Sequence, residues 1–467
     1  MTAAQARVGW SARGMLAPLR GLLARPLASY FLLISSAGLL LVIGLTMVFS
    51  ATNVKAYADD GNAFALISRQ AAYAAVGLVG FWLCQRLPVR TFRFVGFPLL
   101  VLVYGSLALL DGLLALKAVG ILSAPRVGPV FADELWLHIG PIQLQPSEFA
   151  KFALVLWAAD VLARKGSAIV QWRALTRPLF VAVAMLFVLV GYNDFGSLLV
   201  LLALFTGMLW AAGVRLRFFG AMAGLGAVGL AALLALPGKS GYRLDRLTSF
   251  VSDPAACGLG DCYQALQARY AIADGGWFGV GLGKAILKWG WLPASENDFI
   301  FAIMAEELGV IGCLVVLNLL AVFAYTGLRI ARRVRDPFRR LAAAAVISWI
   351  VTQAVINIGG VVGLLPITGV PLPFISDGGS ALVVTLSAVG MLASFARAEP
   401  DAARALHARP PARWARLLWA PLPPLSDPDP GPARMGRTRP AATTGGRGVR
   451  EQTPRRPAGG REQQRGR

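Results

Sequence analysis

Lys288-Trp-Gly-Trp-Leu-Pro-Ala-Ser-Glu-Asn-Asp-Phe-Ile-Phe-Ala-Ile-Met-Ala-Glu-Glu-Leu-Gly309 passes from a polar, glycine-rich loop into an apolar helix, with Asp298 at the join. Ser295 or Asn297 is expected to cap that helix, whose unpaired N–H groups and positive dipole end would keep Asp298 ionised. Glu306 and Glu307 follow roughly 12 Å further along the axis. Adjacent helix positions point about 100° apart, so at least one of the two glutamates must face protein rather than lipid. A carboxylate at a membrane edge or inside a span is costly and marks a functional candidate. The plain alternative for Asp298 is a charge at the start of a helix.

The surroundings of this stretch are those of a membrane protein. The chain has 467 residues, is 56% hydrophobic and has a mean hydropathy of +0.62, and it carries many apolar runs of span length. Its formal net charge is +21. The cations cluster between alternate apolar runs and in both tails, a topology signal rather than a nucleic-acid signal. Most of them set orientation and do no chemistry. Only two histidines occur, His138 and His407, which excludes a multi-histidine metal site and leaves acid–base work to carboxylates. The four cysteines, Cys84, Cys257, Cys262 and Cys313, make no zinc pattern. Residues 1–28 carry Arg7, Arg13, Arg20 and Arg25, and a full-length span without a small-residue cleavage site follows, so no cleavable signal peptide is expected.

Outward from Asp298, the apolar runs predict an all-α polytopic membrane protein of about ten spans: residues 29–50, 70–85, 94–110, 148–163, two within 179–214, then 218–237, 298–327, 341–363 and 380–396. The run 179–214 is broken at Gly191-Tyr-Asn-Asp-Phe-Gly196, which leaves its first half short. Arginines follow spans two (Arg86, Arg90, Arg93), four (Arg164, Arg173, Arg177), six (Arg215, Arg217) and eight (Arg329, Arg332, Arg333). The positive-inside rule then puts both termini in the cytoplasm and the polar loops outside. Three regions result: a basic arm 1–28, a membrane domain 29–397 with a large extracytoplasmic loop 238–297 between helices seven and eight, and a Pro-, Gly- and Arg-rich tail 398–467. That tail is expected to be disordered, free to touch anionic lipid or an acidic partner.

Four outward segments hold the remaining candidates. Glu148 and Lys151 are three apart at the start of span four and share a face, so they can pair at the interface, either to orient the helix or to bind a charged headgroup. Asp194, in the break, either faces a cavity or caps a helix. The large loop offers Arg243, Arg246, Gln264, Lys284 and Lys288, and a run from Gly275 to Gly283 suited to approaching phosphate or to tight packing. Cys257 and Cys262 lie close together in that loop and are a disulfide candidate. Gln353, Asn357 and the stretch Gly363–Ser380 force an irregular backbone at the membrane edge, tolerated only beside protein or a watery cavity.

Gln145-Pro-Ser-Glu-Phe-Ala-Lys151, Gly276–Gly283, Leu292-Pro293 with Asp298-Phe-Ile-Phe-Ala302, Glu306-Glu-Leu-Gly309 and Gly363–Ser380 together resemble the SEDS family (shape, elongation, division and sporulation), whose members include FtsW and RodA. The likeness covers roughly residues 29–397. It implies a multi-pass protein of the bacterial cell membrane that polymerises lipid II into peptidoglycan strands. Its partners would be a class B penicillin-binding protein, other division or elongation proteins and membrane lipid, with no nucleic acid. By position Asp298 matches the family's loop aspartate, and Lys288, Glu148, Lys151, Asp194, Gln264, Asn357, Thr368 and Ser376 fall on further matching positions. Tyr192-Asn193, Leu135, Ala294 and Asp377 depart from the usual pattern.

The inventory suits that chemistry. An ionised Asp298 at the water edge can take the proton from an acceptor hydroxyl as it attacks the donor's anomeric carbon. Undecaprenyl pyrophosphate leaves readily and needs cations, which Arg243, Arg246, Lys284, Lys288 and Lys151 could supply. A lone carboxylate base argues for inverting transfer rather than glycoside hydrolysis. The sequence demands no cofactor, although a divalent cation (Mg or Mn) could help neutralise pyrophosphate. The rival readings are a flippase for the same lipid, sharing the broken spans and buried carboxylates, and a non-catalytic divisome scaffold, which would leave Asp298 unexplained.

Overall fold

The computed structural model describes residues 21, 23–140, 142–166, 179–235 and 261–425. Ten helices correspond to the ten expected spans: α1 (Ala28–Asp60), α2 (Ala65–Arg86), α3 (Val89–Ala118), α4 (Pro146–Lys165), α5 (Val181–Asn193), α6 (Phe195–Ala212), α7 (Leu216–Ala235), α9 (Ile300–Arg333), α10 (Pro337–Val361) and α11 (Ser380–Arg397). Among the described residues, seven of these are long and apolar enough to cross a membrane, and α5 is a shorter apolar helix. The chain is a multi-pass membrane protein. Between α7 and α9 lies α8 (Asp261–Gly275), and after α11 come α12 (Pro400–Ala408) and α13 (Arg413–Leu418).

Local chemistry explains several ends. Pro146 starts α4 where a missing N–H costs nothing, with Glu148 in its first turn and Arg164 and Lys165 in its last. Asp336 caps α10 by accepting from the Arg339 N–H at 2.9 Å, with Pro337 next. Helices that share a lipid environment gain little from apolar burial and rely on close packing instead. At Gly390 of α11 a Cβ would lie 2.2 Å from the Phe81 carbonyl of α2, so only glycine lets these two helices approach so closely. Burial identifies the centre: 83% of the apolar window of α11 and 72% of that of α10 are buried, against 22% for α2 and α9. α2 packs on α11, α1 on α9, α3 on α4 and α6 on α10.

Chain direction alternates from helix to helix. The turns bearing Arg86, Arg90, Arg164, Arg215 and Arg333 therefore gather at one end of the bundle and Asp298 at the other. At the first end Arg93 pairs with Asp160 at 3.8 Å and Asp336 at 3.3 Å.

The helical fold is as expected and carries one small sheet, while two other expectations need correction. In the sheet, β1 (Arg126–Val127), β2 (Val130–Asp133), β3 (Trp136–Ile139) and β4 (Ile142–Leu144) form an antiparallel meander in which Ala132 faces Leu137 and Leu137 faces Leu144. Ala132 and Leu137 bury against Leu110 and Leu113 near the end of α3, which anchors the meander just before Gln145. The tail expected to be disordered from 398 is folded over 398–425. Ala402, Ala403 and Ala420 are buried, the Trp419 indole donates to the Tyr30 hydroxyl, and Tyr30 donates to Gln85 at 2.6 Å. Its apolar and aromatic residues find partners on α1 and α2 that composition alone does not reveal. Finally, neither Ser295 nor Asn297 caps α9.

Candidate active site

α9 begins at Ile300 with Phe299 in the cap position and no side-chain cap. The preceding residues are already committed to turns: the Asn297 and Phe299 N–H groups both donate to the Ala294 carbonyl, and Ala294 has φ +53°. Ser295 donates to Glu296 at 3.2 Å instead. Asp298 thus sits in a tight turn two residues ahead of the helix.

It opens onto a cleft lined by Phe299, Asn357, Gly360, Ile367, Thr368 and Val370, in which Asp298 is the sole acidic residue. The cleft is shallow: about 10 Å³ of it can hold a water-sized group, within some 210 Å³ of atom-free space that merges with open solvent. Asn357 spans it from α10: its amide donates to the Asp298 carbonyl at 2.8 Å and to the Val370 carbonyl at 2.9 Å. Ser376 adds a second tie, donating to the Asn297 carbonyl at 2.7 Å and accepting from the Leu372 N–H at 2.7 Å. The Asp377 N–H donates to the Glu296 carbonyl at 3.0 Å. The irregular loop 364–379 therefore serves as the outer wall that fixes the Asp298 turn.

Charge pairs surround this wall. Lys55 of α1 holds Glu296 at 2.8 Å, and Arg69 of α2 stands 3.6 Å from Asp377. Burial alone would push the Glu296 carboxyl up, but the hydrogen bond and charge of Lys55 outweigh it and hold the group below the ordinary range. For Asp377 burial prevails over Arg69, and its carboxyl is raised.

Behind the turn, the run Gly275–Gly283 packs against backbone. The Val280 and Gly281 N–H groups donate to the Glu306 and Glu307 carbonyls at 2.9 and 3.0 Å, and Val310 donates to Gly276 at 3.0 Å. α9 breaks here, at Gly309 with φ +67° and ψ −170°. Close packing, one of the uses the sequence allowed for the glycines, is thus seen over residues 275–281. Glu306 accepts from the Ile286 N–H at 2.6 Å and so braces the same loop. Glu307 is paired with Lys288 at 2.8 Å, both side chains wholly buried, and Ser50 of α1 donates to the same carboxylate at 2.7 Å. Lys288 does not line the Asp298 cleft.

Two further clusters lie deeper. Lys151 pairs with Glu148 at 2.7 Å, as their spacing predicts, yet inside the bundle rather than at its interface. The same ammonium donates to Gln353 at 3.0 Å, and Trp349 donates to that oxygen at 2.7 Å. Asp194 caps α6 through the Ser197 N–H at 2.8 Å and also accepts from Ser147 at 2.9 Å and Gln145 at 3.3 Å. It joins the α5–α6 break to the start of α4.

Of the sequence candidates, then, Asp298, Asn357 and Thr368 share one cleft, with Ser376 supporting its wall. Glu148, Lys151, Asp194, Lys288 and Glu306 do not line that cleft and are held in the ion pairs and hydrogen bonds described above. Gln264 is half-buried on α8, and Lys284 is exposed. Arg243, Arg246 and Cys257 lie outside the described residues, as does the side chain of Cys262. Sequence reasoning missed Ser50, Lys55 and Arg69, whose partners lie hundreds of positions away with no local signal. Among the described residues no three of His, Cys, Asp and Glu gather as a metal-holding group.

Comparison with known proteins agrees with this architecture. The probable peptidoglycan glycosyltransferase FtsW of Mycobacterium tuberculosis is 41% identical over 407 residues, covering 86% of this chain and 74% of that one. Stage V sporulation protein E of Bacillus subtilis is 35% identical over 361 residues, 77% of this chain and 94% of its own. A solved structure concerning coordination of polymerization and crosslinking by a peptidoglycan synthase complex superposes with a TM-score of 0.59 at 25% identity, covering 78% of this chain and 96% of that one. The rod shape determining protein RodA of Thermus thermophilus shares the fold, with a TM-score of 0.54 at 23% identity over 79% of this chain and 96% of its own. The cell cycle protein family of FtsW, RodA and SpoVE matches residues 30–400, and the chain belongs to that family.

Proposed function

We propose that this protein is a peptidoglycan glycosyltransferase that polymerises lipid II, with Asp298 as the general base. The observation that carries this reading is the cleft itself: one acidic side chain, held by Asn357 through its backbone carbonyl and faced by Thr368, at the end of the bundle opposite the arginine-bearing turns. The positive-inside rule makes that end extracytoplasmic.

A base for glycosyl transfer needs a fixed position within hydrogen-bond reach of the acceptor hydroxyl. The ties from Asn357 and Ser376 hold the Asp298 turn from two sides, so the carboxylate need not be ordered at the moment of reaction. Only about 10 Å³ of the cleft can hold a water-sized group, far below the ~300–1,000 Å³ usual for a complete ligand site. On this reading only the reacting hydroxyl approaches Asp298 there, while the rest of the headgroup lies over the loops outside. Lys284 is exposed on that side to meet pyrophosphate, with Arg243 and Arg246 proposed in the same role. A divalent ion would be carried by the substrate's pyrophosphate rather than by a protein cage. A transpeptidase partner is supported by the likeness to a chain from a complex in which polymerization and crosslinking are coordinated.

The test is polymerisation of labelled lipid II by the purified full-length protein with its transpeptidase partner. Asp298→Asn should lower polymer formation by roughly 10²–10⁴-fold. Equal product from parent and variant would remove Asp298 from the chemistry. Lipid movement across vesicles without polymer would favour the transport reading instead.

A further inference from the structure

The loop between α8 and the Asp298 turn exposes an unusual amount of apolar surface. Trp277 is 69% exposed and Phe278 82%, and Leu282, Ile286, Trp289 and Trp291 are exposed with them. A loop bathed in water rarely carries such a concentration of aromatic and aliphatic side chains. Lys284 stands among them, also exposed.

The depth of this patch can be read from the helix it rests on. Beyond its break at Gly309, α9 runs to the arginine cluster that starts at Arg329. Residues 310–328 therefore span about 28 Å at 1.5 Å per residue, close to the hydrocarbon thickness of a bilayer. Val310, Ile311, Leu314 and Val315 on this half are exposed, as a lipid-facing surface requires. The patch joins that surface at its outer end: Val310 and Ile311 donate to the Gly276 and Trp277 carbonyls at 3.0 and 3.3 Å. Trp277 and Phe278 thus stand level with the first turn of the lipid-facing half. That is the depth at which tryptophan belts occur, with lysine reaching outward to phosphate.

We propose that residues 277–291 form an apolar foot that inserts into the phospholipid interface at the Asp298 end of the bundle. The occupant of the patch is lipid, because the patch continues the lipid-facing strip of α9 and combines aromatics with a lysine. The inference rests on the membrane-spanning fold and not on the reaction assigned above. Its consequence is that the Asp298 cleft is held beside the headgroup layer, where the polar head of any lipid-linked substrate already resides.

The experiment uses the full-length protein in nanodiscs of phosphatidylethanolamine and phosphatidylglycerol. Cys257 and Cys262 are changed to serine, the buried Cys84 and Cys313 are kept, and one reporter cysteine carries a fluorescent label. Reporters are Phe278→Cys, Leu282→Cys, Ile286→Cys and Trp289→Cys, with Asp133→Cys on the meander as the water-exposed reference. Foot positions should be quenched by lipid bearing a doxyl group high on the acyl chain. Their quenching by iodide should be roughly five-fold weaker than at Asp133, since an anion is excluded from the apolar interface. Iodide quenching equal to that at Asp133 would put the loop in water and overturn the proposal. Protection from both quenchers would mean that protein covers the patch, and would overturn it equally. The readout needs no turnover, so it is independent of whether Asp298 is the base.

Discussion

The contrast between Lys288–Glu307 and Lys55–Glu296 sets the residue scale. Both pairs are 2.8 Å long, but the first is wholly buried while Lys55 is 55% exposed. Two buried charges are costly apart and tolerable together, so removing one strands the other. Glu307→Gln should cost about 3–5 kcal/mol, and Lys288→Met combined with Glu307→Leu should recover most of it. Thermal unfolding in detergent micelles reads this directly, and a double variant no better than the single would refute the pairing energy. Lys55→Met, at a solvent-screened pair, should cost at most about 1 kcal/mol. The same pair sets an acid dependence. Glu296 is held below its ordinary value of 4.5, so its stabilisation is complete above that value and is lost as pH falls through the lowered one. Asp377, raised by burial, acts oppositely: its contribution is complete below the ordinary aspartate value and lost as pH rises through the raised one. Glu296→Gln should therefore flatten the acid arm of the melting profile, and parallel profiles for parent and variant would exclude Glu296 as the titrating group. The spacing of Glu148 and Lys151 made their pairing legible, but not its depth. Periodicity says which side chains share a face; it does not say that Gln353 and Trp349 arrive from α10 to cover that face.

The break in α9 is the decisive event at the scale of elements. A continuous helix from Ile300 would carry the Asp298 turn away from the loop that braces it. The break at Gly309 lets the backbone of 275–281 bond across the gap to Glu306 and Glu307. Gly279 has φ +76°, and a Cβ there would stand 2.1 Å from the Glu307 carbonyl, whereas Gly283, at φ +81°, has open space around it. Gly283→Ala should cost about 1–2 kcal/mol from the left-handed backbone alone. Gly279→Ala adds a backbone collision and should lower stability well beyond that, with a matching loss of polymerase activity as the Asp298 turn loosens. Melting of the two variants side by side is the check, and equal losses would mean that the clamp contributes nothing. The helices themselves were legible because apolar runs of span length leave the backbone few alternatives in lipid. The meander was not, since strands of two to four residues are too short for a period of two to show. The cap of α9 misled for a different reason: Ser295 and Asn297 have the right chemistry for capping, but the Ala294 turn uses the backbone first.

For the whole molecule, the arginine distribution gave the bundle its two distinct ends, because cations resist translocation whatever the packing between helices. The C-terminal segment was misread because Pro- and Arg-rich composition argues against a self-contained core. Residues 398–425 do not build their own core; they borrow one. Trp419 stacks edge-on to Phe81 at 6.5 Å and bonds Tyr30, whose ring lies 6.0 Å from the Arg397 guanidinium, and Ala402, Ala403 and Ala420 are fully covered. These contacts join the end of α11 to α1 and α2, the helices that supply Ser50, Lys55 and Arg69 around the site. A chain stopped after Leu425 keeps all of them, and one stopped after Arg397 exposes Tyr30, Phe81 and Gln85. The shorter chain should be less stable than the longer by about 1–3 kcal/mol, on the scale of covering half of one indole and burying a few small apolar side chains. Trp419→Ala in the full chain should reproduce about half of that loss, because the indole makes both the Tyr30 hydrogen bond and the Phe81 ring contact. Melting temperatures of the three proteins in the same detergent decide the matter. If the chain ending at Arg397 melts with the one ending at Leu425, the segment rests on the bundle without holding it together.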